Sequence, residues 1–243
     1  SDEVIGDDQY DETLVGTAGD DVLVGAAGTN IRHDEFYGYT GNDVIDNSDG
    51  GLSLVLAGDG NDIVTGGDET DRIHGESGND TLNGGGGDDR LFGGSGNDFL
   101  SFGSGDDLAL GGLGDDEYRY MGRDGFNTIR DTGGFDTIIF HETHDINGGG
   151  WGSLYRDGDD LVYISGNEKS GFTVEDHYAD PDKSIELLYY QGAEGEPYSI
   201  LVRNSDEVIG DDQYDETLVG TAGDDVLVGA AGTNIRHDEF YGY

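Results

Sequence analysis

The sequence predicts an all-β chain: a parallel β-roll, which is a flattened β-solenoid, closed by a C-terminal β-rich capping segment. Three observations predict it. From Asp62 to Asp116 every ninth residue is an aspartate, and from Val64 to Tyr118 every ninth residue is apolar, with Ala109 the smallest and Tyr118 the only one with a polar tip. The intervening positions are dominated by glycine, which makes up 46 of the 243 residues, against only 2 prolines. A fixed short period of this kind marks a solenoid, in which no unit can bury its apolar residue alone and neighbours must stack.

Each nine-residue unit reads as a turn followed by a short strand. In Gly84-Gly-Gly-Gly-Asp-Asp89-Arg-Leu91-Phe the first six residues tolerate tight turns and positive φ, and the last three place one apolar side chain inward between two outward ones. Two units make one coil. Asp62, Asp80, Asp98 and Asp116 then line one edge, and Asp71, Asp89 and Asp107 the other. Coils about 4.8 Å apart stack these carboxylates closely enough to repel unless a cation lies between them. Oxygen-only donors on flexible turns favour calcium, which accepts about 6–8 oxygens, over the stricter octahedron of magnesium. The chain is therefore expected to bind calcium at multiple sites and to unfold when calcium is removed. Backbone carbonyls of the glycine turns are expected to complete the shells. These belong to Gly58 and Gly60, Gly67, Gly78, Gly85 and Gly87, Gly94 and Gly96, Gly103 and Gly105, and Gly112 and Gly114. Asp116 ends the regular series and is expected to matter less than an interior ligand such as Asp89.

The pattern Gly-Gly-x-Gly-x-Asp-x-U-x resembles the RTX (repeats-in-toxin, haemolysin-type calcium-binding) family, whose repeat the handful of units above follows closely. The resemblance implies a calcium-binding parallel β-roll from a protein secreted by the type I route. It covers roughly residues 13–195, more softly beyond the nonapeptides, where Asn127-Thr-Ile-Arg-Asp131, Asp159-Asp-Leu-Val162 and Phe172-Thr-Val-Glu-Asp-His-Tyr178 resemble the flanking segment of such toxins.

Taken in order, residues 1–56 read as a degenerate start of the roll. Ile5, Leu14 and Leu23 fall nine apart, Asp21 and Asp43 sit in good units, and Asn30 and Arg32 occupy the aspartate and apolar slots of a poor one. Asp34-Glu-Phe-Tyr37 looks like an insertion, and Asn47–Leu56 like an irregular coil with Leu52, Leu54 and Leu56 alternating as in a strand. Residues 57–119 form the regular roll. After Arg119 the nines stop, and residues 120–204 show strand-like runs separated by glycine loops, expected to cover the last coil. Residues 205–243 then repeat residues 1–39 without a change, as the start of a next tandem unit.

Composition bounds the function. Lys and Arg number 11 against 54 Asp and Glu, a net charge of −43, which opposes binding to nucleic acid. No apolar run approaches the roughly 20 residues of a membrane span, and no cysteine is present. His141-Glu-Thr-His144 misses the zinc motif His-Glu-x-x-His by one residue. There is no Gly-x-Ser-x-Gly elbow and no cysteine nucleophile. His177 and Trp151 are read as structural parts of the cap, and Thr40-Gly-Asn-Asp43 occurs too rarely for an ice-binding threonine column. No catalytic constellation emerges, so the chain is expected not to be an enzyme.

The reading that follows is a secreted, calcium-rigidified structural unit, part of a surface adhesin stalk or extracellular filament, whose partners are calcium and neighbouring copies of itself. Two alternatives stand beside it: a module whose cap grips a peptide or sugar, such as a cell-surface ligand, and a non-catalytic tail of a secreted toxin or hydrolase. The recurrence of residues 1–39 favours the first, since a tail has no reason to recur.

Overall fold

The computed structural model describes residues 3–6, 11–26, 33–121, 125–140, 153–165, 169–179, 185–190 and 198–201, with short strands at 207–209, 217–219, 226–228 and 239–241. Among these residues there are strands, bridges and turns but no helix. Successive strands alternate between two sheets. The first holds, in this order, β1 (Glu3–Ile5), β3 (Val22–Val24), β5 (Val44–Asp46), β7 (Ile63–Thr65), β9 (Thr81–Asn83), β11 (Phe99–Ser101), β13 (Glu117–Tyr120) and β15 (Thr137–Phe140). The second holds β2 (Thr13–Val15), β4 (Asp34–Thr40), β6 (Ser53–Asp59), β8 (Arg72–Ser77), β10 (Arg90–Ser95), β12 (Leu108–Leu113) and β14 (Phe126–Arg130). All these pairings are parallel and place each apolar residue over the next, as in Leu82↔Leu100↔Tyr118 and Ile73↔Leu91↔Ala109. The fold is the expected parallel β-roll.

The core is the stack of single apolar side chains between the sheets, running from Leu14 and Leu23 through Ile45, Val64, Leu82 and Leu100 to Ile129 and Ile138, all buried. Burying one such aliphatic residue is worth about 1.5–3 kcal/mol, a small return for ordering nine residues. That ratio is why the turns matter to this fold as much as the core.

The roll is longer than its regular repeats. Asn127 and Asp136 stand in the aspartate slot, with Ile129 and Ile138 buried two residues on, so β14 and β15 add coils beyond Arg119. β18 (Gly171–Val174) then pairs parallel with β14, and β19 (Leu187–Tyr190) parallel with β15. The direction changes only beyond them: β17 (Asp160–Ile164) and β16 (Ser153–Asp157) run antiparallel on the second sheet, and β20 (Tyr198–Leu201) antiparallel on the first. Tyr120, Tyr163 and Phe172 pack together over this end, with ring centroids 5.1–5.9 Å apart.

Three expectations along the run-in are corrected. Ile5 is exposed, and Val4 packs against the core in its place, paired with Leu23. Asp34–Tyr37 is no insertion but the slot and core positions of a full unit, with Asp34 and Phe36 buried in β4. In the irregular coil the strand has the opposite phase: Ser53, Val55 and Ala57 face inward, while Leu54 and Leu56 are half-exposed. Asn30, Arg32, His141, His144 and Trp151 lie outside the described residues.

The first sheet continues into the repeated segment. β21 (Glu207–Ile209) pairs with β20 at Leu201↔Ile209, and β23 (Val226–Val228) pairs with β21 as Glu207↔Val226, the register of Glu3↔Val22 in β1 and β3. β22 (Thr217–Val219) and β24 (Glu239–Tyr241) likewise repeat the pairing of β2 with β4.

Candidate metal sites along the two edges

Two columns of buried acids follow from the strand registers. On one edge the N–H of Asp21 donates to Asp43 Oδ1, Asp43 to Asp62, Asp62 to Asp80, Asp80 to Asp98, Asp98 to Asp116 and Asp116 to Asp136, at 2.7–2.8 Å. The column ends on Glu186, whose Oε2 accepts the Asp136 N–H at 2.7 Å. On the other edge Ser53 donates to Asp71, Asp71 to Asp89, Asp89 to Asp107 and Asp107 to Asn127, at 2.6–2.9 Å. Asp34 heads this edge, accepting the Glu12 N–H at 3.0 Å. The two edges hold the residues expected from the nine-residue period, together with Asp34, Asn127 and Asp136, which the period alone misses, and Ser53, which is in step with it without being an aspartate.

One carboxylate oxygen per aspartate is thus consumed by the ladder. The other is the informative one. The Oδ2 atoms of Asp43, Asp62, Asp80, Asp89, Asp98 and Asp116 are buried without a hydrogen-bond partner. A buried carboxylate oxygen left bare costs free energy unless something charged or donating meets it. Asp21 and Asp71 differ: their Oδ2 atoms accept the turn amides of Thr17 and Gly67, at 2.5 and 2.7 Å.

The bare oxygens of Asp89 and Asp98 face further oxygen. A β-carbon on Gly84 would fall against Asp89 Oδ2 and 2.6 Å from the Phe102 carbonyl oxygen of the next coil. A β-carbon on Gly93 would fall against Asp98 Oδ2 and 2.6 Å from the Gly111 carbonyl oxygen. Where a unit begins with glycine, as at Gly84 and Gly93, that residue therefore leaves open a space bounded by a carboxylate and a carbonyl, whereas the Asp62 and Asp107 units carry Ala57 and Phe102 there. That donor set suits a hard cation. Sequence reasoning singled out the glycines at the second and fourth positions. Their visible role is conformational: Gly78, Gly96 and Gly114 have φ of 128°, 122° and 125°, and each packs where a β-carbon would strike the carbonyl of the glycine one coil back. Glu76 holds the same kind of turn at φ 76° without being glycine.

Burial raises the aspartate pKa values. Asp89 is pushed up to about 8, with the Asp71 N–H opposing the shift and the charges of Asp107, Asp71 and Asp88 adding to it. Asp80 and Asp116 reach about 7 and Asp62 about 6, burial again being the first cause. Asp136 is raised by burial and then by a side-chain hydrogen bond with Asp131 and that residue's charge, the arrangement of two carboxyls sharing a proton. Carboxylates held this way either keep a proton or are met by a cation.

A second, exposed ladder runs in the opposite sense and was not anticipated. Asn61, Asn79 and Asn97 donate their N–H groups to Asn42, Asn61 and Asn79 Oδ1 at 2.7–2.8 Å, and Asp115 donates to Asn97 at 3.0 Å. On this edge the residue before each aspartate from Asp62 to Asp116 thus ties its turn to the coil behind, while the aspartate ties it to the coil ahead.

His177, outside the edges, is fully buried in the cap; its Nδ1 accepts the Ile185 N–H at 3.1 Å, and burial lowers its pKa to about 4. It is a neutral packing residue against the edge of Tyr178. Among the described residues no helix is long and apolar enough to cross a membrane.

Comparison with known proteins agrees with this geometry. The model of the RTX calcium-binding nonapeptide repeat (4 copies) matches residues 6–31, 54–82, 65–100, 83–118 and 210–235. A comparison with curated proteins found no match. Such repeats bind calcium at multiple sites, and the bare aspartate oxygens stacked along both edges fit that ion. With its nine-residue period, its two parallel sheets and its columns of buried aspartates, the roll of this chain is built of RTX calcium-binding nonapeptide repeats.

Proposed function

We propose that the chain is a non-catalytic, calcium-rigidified structural unit of a secreted protein, folding on calcium and joining its neighbours end to end as a stalk or filament. Asp43, Asp62, Asp80, Asp89, Asp98, Asp107 and Asp116 are the side-chain ligands in this reading, and carbonyls of the glycine turns complete the shells. Asp21 and Asp71 join them by releasing their turn amides. One unit spans residues 1–204: a run-in to residue 56, a regular roll over 57–119 and a cap over 120–204. Residues 205–243 open the next.

The observation that carries the reading is the continuity of the first sheet across the repeat. Residues 205–243 are identical to 1–39, and β21 and β23 extend the same sheet through β20 in the register of β1 and β3. Pairing of this kind leaves no open edge between units on the first sheet. It favours a structural array over a ligand-gripping cap or a toxin tail.

The test is a chain carrying residues 1–204 twice in tandem. In calcium, small-angle X-ray scattering should give a rod whose length doubles at constant cross-section. Two bodies moving independently on a flexible joint would refute the end-to-end reading.

A further inference from the structure

The column on the first edge does not end as it runs. Through the regular coils each level offers one carboxylate, and the first residue of the next unit contributes a backbone carbonyl. At the last level a side chain takes over. Asp131 stands at the first position of the unit that ends in Asp136, where the preceding coil has Gly111.

The consequence is a cluster that the nonapeptide pattern does not contain. One carboxylate oxygen each from Asp116, Asp131 and Asp136 lies within 4.8 Å of the others, and all three residues are buried. Their Oδ1 atoms are occupied: Asp116 accepts from Asp98, Asp136 from Asp116, and Asp131 from Gly112 and Thr132 at 3.1 and 2.8 Å. When all three are carboxylates, with no proton shared between Asp131 and Asp136, their Oδ2 atoms have no hydrogen-bond partner. The Tyr118 hydroxyl joins them. It is fully buried, accepts the Gly111 N–H at 2.7 Å, and lies with Asp116 Oδ2 against the place a Gly111 β-carbon would take. Three bare carboxylate oxygens and a phenol oxygen in a closed space form a donor set with no cationic side chain among the residues that define it.

We propose that Asp116, Asp131 and Asp136, with Tyr118 Oη, form a terminal calcium site that is separate in composition from the nonapeptide sites and locks the last coil to the cap. The proposal rests on the calcium-binding reading of the roll. Three carboxylates against one divalent ion give this site more negative charge than a level with a single aspartate, and affinity rises with ligand charge and rigidity. It should therefore fill first. The Asp136 N–H bond to Glu186, just before β19, passes its order on to the cap.

The test uses the full 243-residue chain and the substitutions Asp131→Asn and Asp136→Asn. Asparagine keeps an oxygen for the backbone donors and removes the charge. Calcium bound at equilibrium should fall by one ion per chain in Asp131→Asn, with the most tightly held ion the one lost. Tyrosine-sensitised terbium emission from the first equivalent of Tb³⁺ should drop at least tenfold, while circular dichroism in saturating calcium still shows the β-roll. Asp136→Asn should lose the same ion, which guards against a folding defect peculiar to one variant. An unchanged ion count and unchanged first-equivalent emission in both variants would overturn the site and leave a proton-sharing acid cluster. A wild-type chain that binds no calcium would instead overturn the reading of the whole roll.

Discussion

Replacing Asp89 separates the two jobs of a ladder aspartate. Its Oδ1 accepts the Asp71 N–H at 2.7 Å, and its Oδ2 is buried and bare. Asp89→Ala removes both. It strands a buried N–H, at about 1–3 kcal/mol, and removes a calcium ligand. If the ion is lost where calcium stood at 100 times its Kd, that costs about 2.7 kcal/mol more. Asp89→Asn keeps an oxygen for the Asp71 N–H and discards only the charge. In saturating calcium, urea unfolding followed by circular dichroism should show a loss of about 4–6 kcal/mol for alanine and about 3 kcal/mol for asparagine on these figures. Equilibrium dialysis should show fewer bound ions in both. If Asp89→Asn were as stable as wild type and bound as many ions, the bare oxygens would not be calcium ligands, and the stacked-edge account would fail.

Other outcomes follow from the same geometry. Gly84→Ala places a methyl in the space between Asp89 Oδ2 and the Phe102 carbonyl; it should cost about 1–3 kcal/mol in calcium and lower the ion count, which titration calorimetry reads. Glu76→Gly relieves a positive φ and should raise stability in calcium by about 1 kcal/mol, seen as a higher urea midpoint. In chelator the pH dependence should run towards acid. The folded pKa values of Asp62 at about 6 and Asp89 at about 8 lie above the ordinary carboxylate value, so the folded chain holds protons that the unfolded chain releases. That stability is present at the acid end and lost as pH rises through about 6 to 8; β content in chelator should therefore rise between pH 8 and 5. His177 works the other way in the cap, since its folded pKa of about 4 is depressed and its contribution is lost as pH falls from the ordinary histidine range through that value. Near pH 4 the cap should loosen, which hydrogen exchange at the Ile185 amide would report.

How far the sequence reveals this molecule depends on the length of each coil. Where the coil is 18 residues, as from Asp62 through Asp80 and Asp98 to Asp116, the period alone places every aspartate on its edge and every core residue between the sheets. Where coils lengthen to 19, 20 or 22 residues the glycines thin out and the count of nines fails. Asp34, Asn127 and Asp136 were missed for that reason, while Ser53 stands in step, 18 residues before Asp71, and was missed because it is not an aspartate. A polar residue two before an apolar one would have found them, as in Asp34-Glu-Phe36 and Asp136-Thr-Ile138, because that pair is what a coil needs whatever its length. Val4 against Ile5 could not be separated by spacing, since a one-residue shift turns the whole strand over. The Asp131 cluster was illegible for another reason: it joins two turns of different coils through a residue that stands where the repeat has glycine.

The central claim is that calcium, and not the thin apolar core, holds the roll together. Far-ultraviolet circular dichroism of the 243-residue chain at pH 7.5, in excess chelator and then in millimolar calcium, tests it most directly. The account predicts a mostly coil spectrum in chelator that becomes β-rich as calcium is added. Equal β content in both conditions would contradict it.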